Sequence, residues 1–366
     1  MKPTTLLSRT SARTLVAAGL TAGLVFTAGC AKSEDDDASS DSSASQERGD
    51  AGQEVASDGG GDKTCGIDAY GAEKLDLKSA TVGFSQSEKE ANPFRIAETA
   101  SMRAEAKKRG VKLLTANAQS QFSKQISDVQ DLIAKGADLL VIAPLNSDGW
   151  EPVLRAAGAK HIPIVTIDRK INATACKDYV SFIGSDFVAQ GRRAADRMIE
   201  ATGGKGKIAI LLGAAGNNVT TERTKGFEER VKAKAPDLKV VFKQTGEFAR
   251  EKGQQVTEQL IQSKPDITGI YAENDEMGLG AVNALKGAGK KAGDVKIVTI
   301  DGTKGAVRGI VDGWIDGVVE SNPRFGPLAF QTLDTFTKGQ KVAPDIVIKD
   351  NAYTKDNAES DLGKAY

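Results

Sequence analysis

The chain has 366 residues, with 49 lysine and arginine residues, 49 aspartate and glutamate residues and one histidine. A chain of this length is enough for about two domains, and a net charge of zero argues against a nucleic-acid-binding protein, which normally carries a basic excess. A single histidine also argues against a metal site built from several imidazole ligands.

Residues 1–29 have the composition of a secretory signal, because three basic residues precede an apolar run over 15–28. The run is too short for an ordinary membrane-spanning helix, and a short buried helix is the alternative interpretation. It ends in the letters TAGC at 27–30, which resemble a bacterial lipobox, although a lipobox usually has leucine where this chain has Thr27. We therefore expect Cys30 to be lipidated and the chain to be exported and anchored on the outer side of the cytoplasmic membrane.

Residues 30–62 are rich in serine, aspartate and glycine, with two basic and ten acidic residues. A segment without a periodic apolar pattern does not bury enough surface to offset the entropy of ordering, so we expect a disordered tether. The signal carries a charge of +3 and the tether −8. Residues 63–366, with 44 basic and 39 acidic residues, are therefore mildly basic.

Two cysteines, Cys65 and Cys176, remain in this body. An exported chain enters an oxidising compartment, where the two can form a disulfide. Two free thiols are the alternative.

The body alternates short β-rich runs with amphipathic helical stretches. The predicted strands are 80–85, 112–115, 139–143, 163–167, 179–183, 207–212, 238–243, 267–271, 295–300 and 315–320. Predicted helices include 94–109, 122–135, 187–202, 219–234, 250–263, 274–288 and 325–338. Several strands are apolar without alternation, as in parallel strands buried on both faces. The sequence therefore predicts an α/β fold with two doubly wound parallel sheets.

Ligands of such folds bind at the carboxyl ends of the strands, where this chain places a consistent set of side chains. These residues are Gln86, Asn92, Phe94, Arg95, Asp168, Arg169, Arg223, Phe248, Asn274, Asp275 and Asp301. Carboxylates, guanidinium groups and amides suit the hydroxyls of a neutral polyol, and phenyl rings can cover the apolar face of a sugar. Each residue also has a structural interpretation, because Asp168, Asn274 and Asp301 can cap the next segment and the two phenylalanines can belong to the core.

The order of motifs over 80–337 resembles the sugar-binding proteins of bacterial ABC importers, which have the type I periplasmic-binding fold. The motifs are Gly83-Phe84-Ser85-Gln86, Asn92-Pro93-Phe94-Arg95, Ile167-Asp168-Arg169, Glu222-Arg223-Thr224-Lys225-Gly226-Phe227, Asn274-Asp275-Glu276-Met277 and Ile300-Asp301-Gly302. The stretches 149–154 and 245–248 resemble those of the galactofuranose-binding subgroup. The family's ribose binders have an aromatic residue in place of Arg95, which weakens a ribose assignment.

The resemblance implies that six polar residues contact the ligand and that Phe94 and Phe248 lie near its ring. The six are Arg95, Asp168, Arg169, Arg223, Asn274 and Asp301. It also assigns Ser321 the place of a glutamine that ribose binders have before the proline of a crossover.

The resemblance further implies a three-stranded hinge, with crossings near 184–186, 321–322 and 350–351. The N-terminal lobe is then 63–185 plus 322–349, and the C-terminal lobe is 186–321 plus 350–366. Closure about such a hinge would bury the ligand between the lobes.

No nucleophile and base at suitable spacing, and no metal-ligating cluster, is recognisable in the sequence, so neither catalysis nor a cofactor or metal is predicted. The leading hypothesis is a monomeric, lipid-anchored receptor that delivers a monosaccharide to an ABC permease. A sugar-sensing module for a kinase or chemoreceptor and an exported sugar-modifying enzyme are the alternatives. Three arginines in the set also leave an acidic sugar or a non-sugar polyol open as the ligand.

Overall fold

The computed structural model describes residues 53–58 and 63–366. The predicted signal, the lipidation site Cys30 and most of the predicted tether lie outside the described residues. The described strands are β1 (Val55–Asp58), β2 (Thr81–Gln86), β3 (Lys112–Asn117), β4 (Leu139–Ile142), β5 (Ile164–Ile167), β6 (Ser181–Gly184), β7 (Lys205–Leu212), β8 (Asp237–Thr245), β9 (Gly269–Ala272), β10 (Lys296–Asp301), β11 (Gly317–Glu320), β12 (Asp345–Ile348) and β13 (Ala352–Tyr353).

Helices alternate with these strands along most of the chain, as the sequence predicts. They are α1 (Ile67–Tyr70), α2 (Pro93–Arg109), α3 (Phe122–Ala134), α4 (Glu151–Gly158), α5 (Phe187–Thr202), α6 (Asn218–Lys234), α7 (Arg250–Ser263), α8 (Asp275–Gly287), α9 (Lys304–Val311), α10 (Gly326–Thr337) and α11 (Ala358–Asp361).

The strands form two sheets, and the prediction of an α/β fold with two parallel sheets is confirmed. The first sheet has the order β1-β12-β6-β5-β4-β2-β3, and the second has the order β13-β11-β10-β9-β7-β8. All pairings are parallel except those of the end strands β1 and β13, which pair antiparallel with β12 and β11. A parallel sheet of this kind collects the carboxyl ends of its strands at one edge.

Both faces of each sheet are buried, which explains the continuous apolar runs in the strands. In β4, Leu139 and Val141 belong to one apolar cluster with Met102 of α2, while Leu140 and Ile142 belong to another with Leu132 of α3. The second sheet has the same arrangement between α5 and α6 on one face and α7, α8 and α9 on the other. Burial of this apolar surface is the main favourable contribution to the folding of each lobe.

The helices α5 and α6 cross at backbone contact, and two glycines make this possible. A Cβ atom on Gly191 would overlap the carbonyl oxygen of Arg223, and one on Gly226 would overlap that of Val188. This close approach lets Gln190 of α5 reach the guanidinium group of Arg223 on α6. Residues with side chains at these two positions would therefore separate the helices and displace Arg223.

The expectation of a disordered tether is wrong for residues 53–58. Residues 55–58 pair with β12 as strand β1, and the buried Gln53 side chain donates to the carbonyl oxygen of Asn322 at 3.0 Å. Glu54 also forms an ion pair with Lys349 at 2.9 Å. The composition argument missed this strand because pairing at a sheet edge depends on backbone groups and needs little apolar surface.

The chain passes between the sheets after β6, after β11 and after β12, so three segments connect the two lobes. These segments are hydrogen-bonded to each other. Ser185 and Gln190 donate to the two carboxylate oxygens of Asp350, each at 2.9 Å. The backbone N–H of Asn351 donates to Glu320 at 3.0 Å. The lobe boundaries at single residues stay a prediction.

A disulfide joins Cys65 to Cys176 across 111 residues of sequence. Cys65 lies in an isolated bridge with Val342, and Cys176 lies in the loop between β5 and β6. The bond therefore closes a loop that contains strands β2 to β5 of the first sheet.

We predict that replacing both cysteines by serine lowers the free energy of unfolding by about 2–5 kcal/mol, because a cross-link over a long loop restricts the unfolded chain. Denaturant titration of the variant and the wild type measures the difference. Reductant should lower the stability of the wild type and leave the stability of the variant unchanged. Equal stability of the oxidised wild type and the variant would contradict the prediction.

We predict that the free energy of unfolding falls as the pH rises from about 4 to 7. Burial raises the pKa of Asp350 to about 7, and the hydrogen bonds from Gln190 and Ser185 only partly oppose it. The folded protein then holds this proton more tightly than the unfolded chain does, so deprotonation favours unfolding. Denaturant titrations at pH 5 and 7.5 test this, and Asp350→Asn should have a smaller pH dependence. The exposed Asp356→Asn is the control, and an unchanged slope in Asp350→Asn would contradict the assignment.

Candidate ligand-binding site

A pocket lies between the two lobes, at the carboxyl ends of their parallel strands. It is lined by Glu88, Asn92, Phe94, Arg95, Asp168, Arg169, Val219, Arg223, Phe248, Asn274 and Asp301. Two hydrogen bonds join the lobes next to these residues: Ser147 N–H donates to the carbonyl of Gly216 at 2.9 Å, and Lys170 N–H donates to Asn218 Oδ1 at 3.1 Å. The cleft is therefore closed around the pocket.

The structure brings together nine of the twelve residues that the strand ends and the resemblance indicate. Gln86, Asp275 and Ser321 are not among the lining residues. Gln86 lies behind the pocket, where its Nε2 donates to Glu98 Oε2 at 2.8 Å and to Thr99 Oγ1 at 3.1 Å. Ser321 is buried in the second crossing segment, and its backbone N–H donates to the carbonyl of Asp301 at 2.8 Å. Ser321 therefore contacts the lining residue Asp301 directly, whereas Gln86 acts through Glu98, which accepts from Arg95.

The wall contributed by the N-terminal lobe is a network of two arginines and their carboxylates. Arg95 donates through Nη1 to Asp168 Oδ2 at 2.7 Å and to Glu98 Oε2 at 2.8 Å, and through Nε to Glu88 Oε2 at 3.1 Å. Arg169 donates through Nη2 to the other oxygen of Glu88 at 2.6 Å. The two guanidinium groups are buried, and each is neutralised by at least one adjacent carboxylate.

Glu88 and Glu98 respond differently to this buried network. Burial opposes ionisation of Glu88, but the charges and hydrogen bonds of Arg169 and Arg95 outweigh it and lower its pKa to about 2. At Glu98 burial dominates and, together with the charge of Asp168, raises the pKa to about 7 despite Arg95. Glu88 is therefore ionised at neutral pH and fixes the orientation of both arginines.

The wall contributed by the C-terminal lobe is built around Arg223. Its Nε donates to Gln190 Oε1 at 2.9 Å, its Nη1 donates to the carbonyl of Glu273, and its Nη2 is 3.5 Å from Asp301 Oδ1. Burial raises the pKa of Asp301 well above its ordinary value, and Arg223 opposes this shift. One end of this arginine therefore faces the pocket while the other is held by the α5 helix next to the hinge.

Asn274 and Asn92 each have a structural role as a helix cap and also line the pocket. Each caps a helix, since Asn274 accepts from Met277 N–H at 3.0 Å and Asn92 accepts from Arg95 N–H at 2.9 Å. Asn274 Nδ2 also donates to the carbonyl of Phe248 at 3.1 Å, which holds that loop against the pocket. Capping and lining the pocket are thus compatible at these positions.

Two phenyl rings line the pocket beside the arginines. The guanidinium carbon of Arg95 is 4.9 Å from the ring centre of Phe94, and that of Arg169 is 5.7 Å from the ring centre of Phe248. The ring of Tyr366 packs edge-on against Phe94 with 6.1 Å between centroids. These contacts fix the rings in place and leave apolar surface in a polar pocket.

Three pocket residues have positive φ angles although none is glycine: Asp168 (64°), Phe248 (59°) and Asp301 (145°). Such angles are unfavourable for residues with a Cβ atom, especially for a bulky one such as phenylalanine. Strained backbone conformations cluster at active sites and ligand-binding sites, where they orient particular side chains. The clustering of all three at one pocket supports its assignment as the functional site.

Asp275 was among the residues at the strand ends, but it has a structural role. Its two carboxylate oxygens accept from Thr299 Oγ1 at 2.5 Å, Gly302 N–H at 2.9 Å, and the N–H and hydroxyl of Thr303 at 2.7 and 2.8 Å. Burial raises its pKa to about 6 against these bonds. Asp275 therefore fixes the turn that follows β10, the strand whose last residue is Asp301.

The sequence did not single out Glu88 and Val219. Glu88 lies two residues after the end of β2, so its position after a buried strand is a signal that the sequence contains, as it does for Gln86. Val219 lies in the first turn of α6 and carries no polar group that marks it. In the part of the chain that the structure describes, no group of three or more histidine, cysteine or acidic side chains is arranged to hold a metal ion.

No helix among residues 53–58 and 63–366 is long and apolar enough to cross a membrane.

Comparison with known proteins agrees with this geometry. The chain is 35% identical over 290 residues to the galactofuranose-binding protein YtfQ of Escherichia coli, covering 78% of this chain and 91% of that protein. It is 38% identical over 270 residues to the ribose import binding protein RbsB of Bacillus subtilis, covering 74% and 85%.

A solved structure is similar over the same region. It is the periplasmic binding protein component of the arabinose ABC transporter from Shewanella sp. ANA-3, bound to α- and β-L-arabinofuranose, with 36% identity and a TM-score of 0.75. The match covers 78% of this chain and 95% of that one. The family model for the periplasmic binding protein domain matches residues 82–341. The two-lobed fold, the pocket between the lobes and these matches agree, and the chain belongs to the periplasmic binding protein family.

Proposed function

We propose that the protein captures a monosaccharide between its two lobes outside the cytoplasm and delivers it to an ABC permease. The observation that carries this proposal is the pocket itself. Carboxylates, guanidinium groups and amides alternate around it, and two phenyl rings supply apolar faces. A sugar ring has the same combination of hydroxyls and apolar C–H surface.

The hydrogen-bonding geometry suits a ligand with several hydroxyl groups. Arg95 donates to one oxygen of Asp168, and the other oxygen can accept from a ligand hydroxyl. Asp301 contributes a second carboxylate from the opposite lobe, 3.5 Å from Arg223. Ligand hydroxyls that bond to both lobes would stabilise the closed cleft over the open one.

The relatives narrow the ligand class. YtfQ is named for galactofuranose, RbsB for ribose, and the Shewanella protein was solved with arabinofuranose. We therefore propose a pentose or hexose, with a furanose such as galactofuranose as the first candidate. Arg95 supports this choice over ribose, because its guanidinium group stands where the resemblance places an aromatic residue in ribose binders.

We further propose that the chain acts as a monomer, is exported through the signal in 1–29 and is anchored through a lipid on Cys30. The charged and apolar pattern of the signal supports the export, and the TAGC letters at 27–30 support the lipid anchor. Multiple acyl chains on one cysteine would anchor the protein stably, whereas a single chain binds membranes weakly.

Calorimetric titration with L-arabinose, D-galactose, D-ribose and D-fructose tests the proposed function. We expect saturable binding of at least one sugar, recovered chemically unchanged after incubation with the protein. Binding of none would contradict the proposal, and conversion of the sugar would favour an enzyme. A sensory module would bind sugar equally well. Permease and ATPase genes next to the gene for this protein, together with loss of uptake when they are deleted, would favour transport over sensing.

We predict that Asp168→Ala weakens binding of the best sugar by about 2–4 kcal/mol, which corresponds to a dissociation constant roughly 30- to 1000-fold higher. The variant removes a buried acceptor and leaves both Arg95 and the sugar hydroxyl with one partner fewer. Titration of the variant measures the loss, with Asp131→Ala on the exposed face of α3 as the matched control. A dissociation constant within threefold of the wild type would remove Asp168 from the site.

A further inference from the structure

We propose that Glu88 makes the pocket select uncharged sugars over sugar acids, an inference that rests on the proposed function. Glu88 was not predicted from the sequence. Three arginines at one pocket, considered alone, leave an acidic ligand open. The position of Glu88 between two of them is the observation that decides between the two classes.

The Glu88 carboxylate bridges the arginines of the N-terminal wall. One oxygen accepts from Arg169 at 2.6 Å and the other from Arg95 at 3.1 Å. The Glu88 side chain is 13% exposed, and those of the arginines are 4% and 3% exposed. Both guanidinium groups are thus held away from bulk water, facing a carboxylate of the protein.

The loop that carries Glu88 is itself fixed. Asn117 Nδ2 donates to the carbonyl of Glu88 at 2.9 Å, and Ser120 N–H donates to the carbonyl of Ser87 at 3.1 Å. Both partners lie at or just after the end of β3, the neighbouring strand. The carboxylate is therefore held in position before a ligand arrives, and its displacement would break backbone contacts as well.

A ligand carboxylate would meet an unfavourable environment at this wall. Arg95 already donates to Glu88 and Asp168, and Arg169 to Glu88 and two backbone carbonyls. Arg169 Nε makes no hydrogen bond, but it lies 3.6 Å from Asp168 Oδ2, so an anion that reached it would meet that carboxylate. A ligand carboxylate would also lie close to the negative charges of Glu88 and Asp168 in a site with little water, where repulsion is strong. A hydroxyl, in contrast, can donate to these same carboxylates.

The opposite wall gives an anion no better partner. Arg223 donates to Gln190 and to the carbonyl of Glu273, and its remaining nitrogen faces Asp301. All three arginines of the pocket therefore have protein acceptors. Their role is to orient carboxylates and to donate single hydrogen bonds to ligand oxygens, which fits a neutral polyol.

The experiment compares D-galactose and L-arabinose with D-galacturonate, which has the galactose skeleton with a carboxylate at C6. Titrations at pH 7.5 and low salt use the wild type, Glu88→Gln and Glu90→Gln. Glu90 is in the same loop but outside the pocket, 3.6 Å from the exposed Arg103. We expect the wild type to bind the better neutral sugar at least 100-fold more tightly than D-galacturonate. Glu88→Gln should reduce this ratio at least tenfold, and Glu90→Gln should leave it unchanged.

The outcomes separate this inference from the proposed function. If the wild type binds neither neutral sugar, nor any other in the panel, the proposed function fails. If it binds a neutral sugar and D-galacturonate within tenfold of each other, the role of Glu88 fails and the function stands. A Glu88→Gln variant that folds, judged by circular dichroism, and keeps the wild-type ratio also overturns it. If that variant does not fold, the wild-type ratio of the two dissociation constants at low salt decides. A preference of at least 100-fold for the neutral sugar supports the role of Glu88, and a smaller preference overturns it.

Discussion

Burying three guanidinium groups between two lobes requires an acceptor for each, and the rest of the pocket follows from this constraint. An unpaired charge in such a place costs several kcal/mol. Arg95 and Arg169 therefore share Glu88, Arg95 also binds Asp168, and Arg223 is directed to Gln190 and Asp301. Three of these acceptors, Glu88, Asp168 and Asp301, lie at or just after the carboxyl ends of different strands, which makes the relative position of the strands part of the site.

The same constraint connects the pocket to the hinge. Gln190 accepts from Arg223 through its oxygen and donates to Asp350 through its nitrogen. Asp350 in turn accepts from Ser185 in the first crossing segment. A ligand that repositions Arg223 thus acts on a hydrogen-bond chain that ends between the segments joining the lobes. This is a physical route by which occupancy can favour one arrangement of the lobes over another.

The regular part of the fold could be predicted from sequence because it depends on local pattern. Apolar runs mark strands buried on both faces, and the position of polar residues after those runs located most of the pocket. The sequence could not predict β1, because its pairing with β12 depends on backbone groups at a distant edge. It placed Ser321 and Gln86 at the ligand, whereas packing puts both behind the lining residues. It missed Glu88 because the conformation of the loop after β2 decides which polar side chain faces the pocket.

The two antiparallel end strands affect more than the local fold. A parallel sheet leaves unpaired N–H and C=O groups along its outer strands, and such edges can recruit strands of other chains. Here β1 covers the edge of β12, and β13 covers that of β11. At the opposite edge of the second sheet, β8 has a register irregularity against β7, and its Lys239 and Lys243 are exposed. The new outer edges are short, with four residues in β1 and two in β13, and irregular or charged edges pair poorly with other strands, so the arrangement disfavours edge-to-edge aggregation.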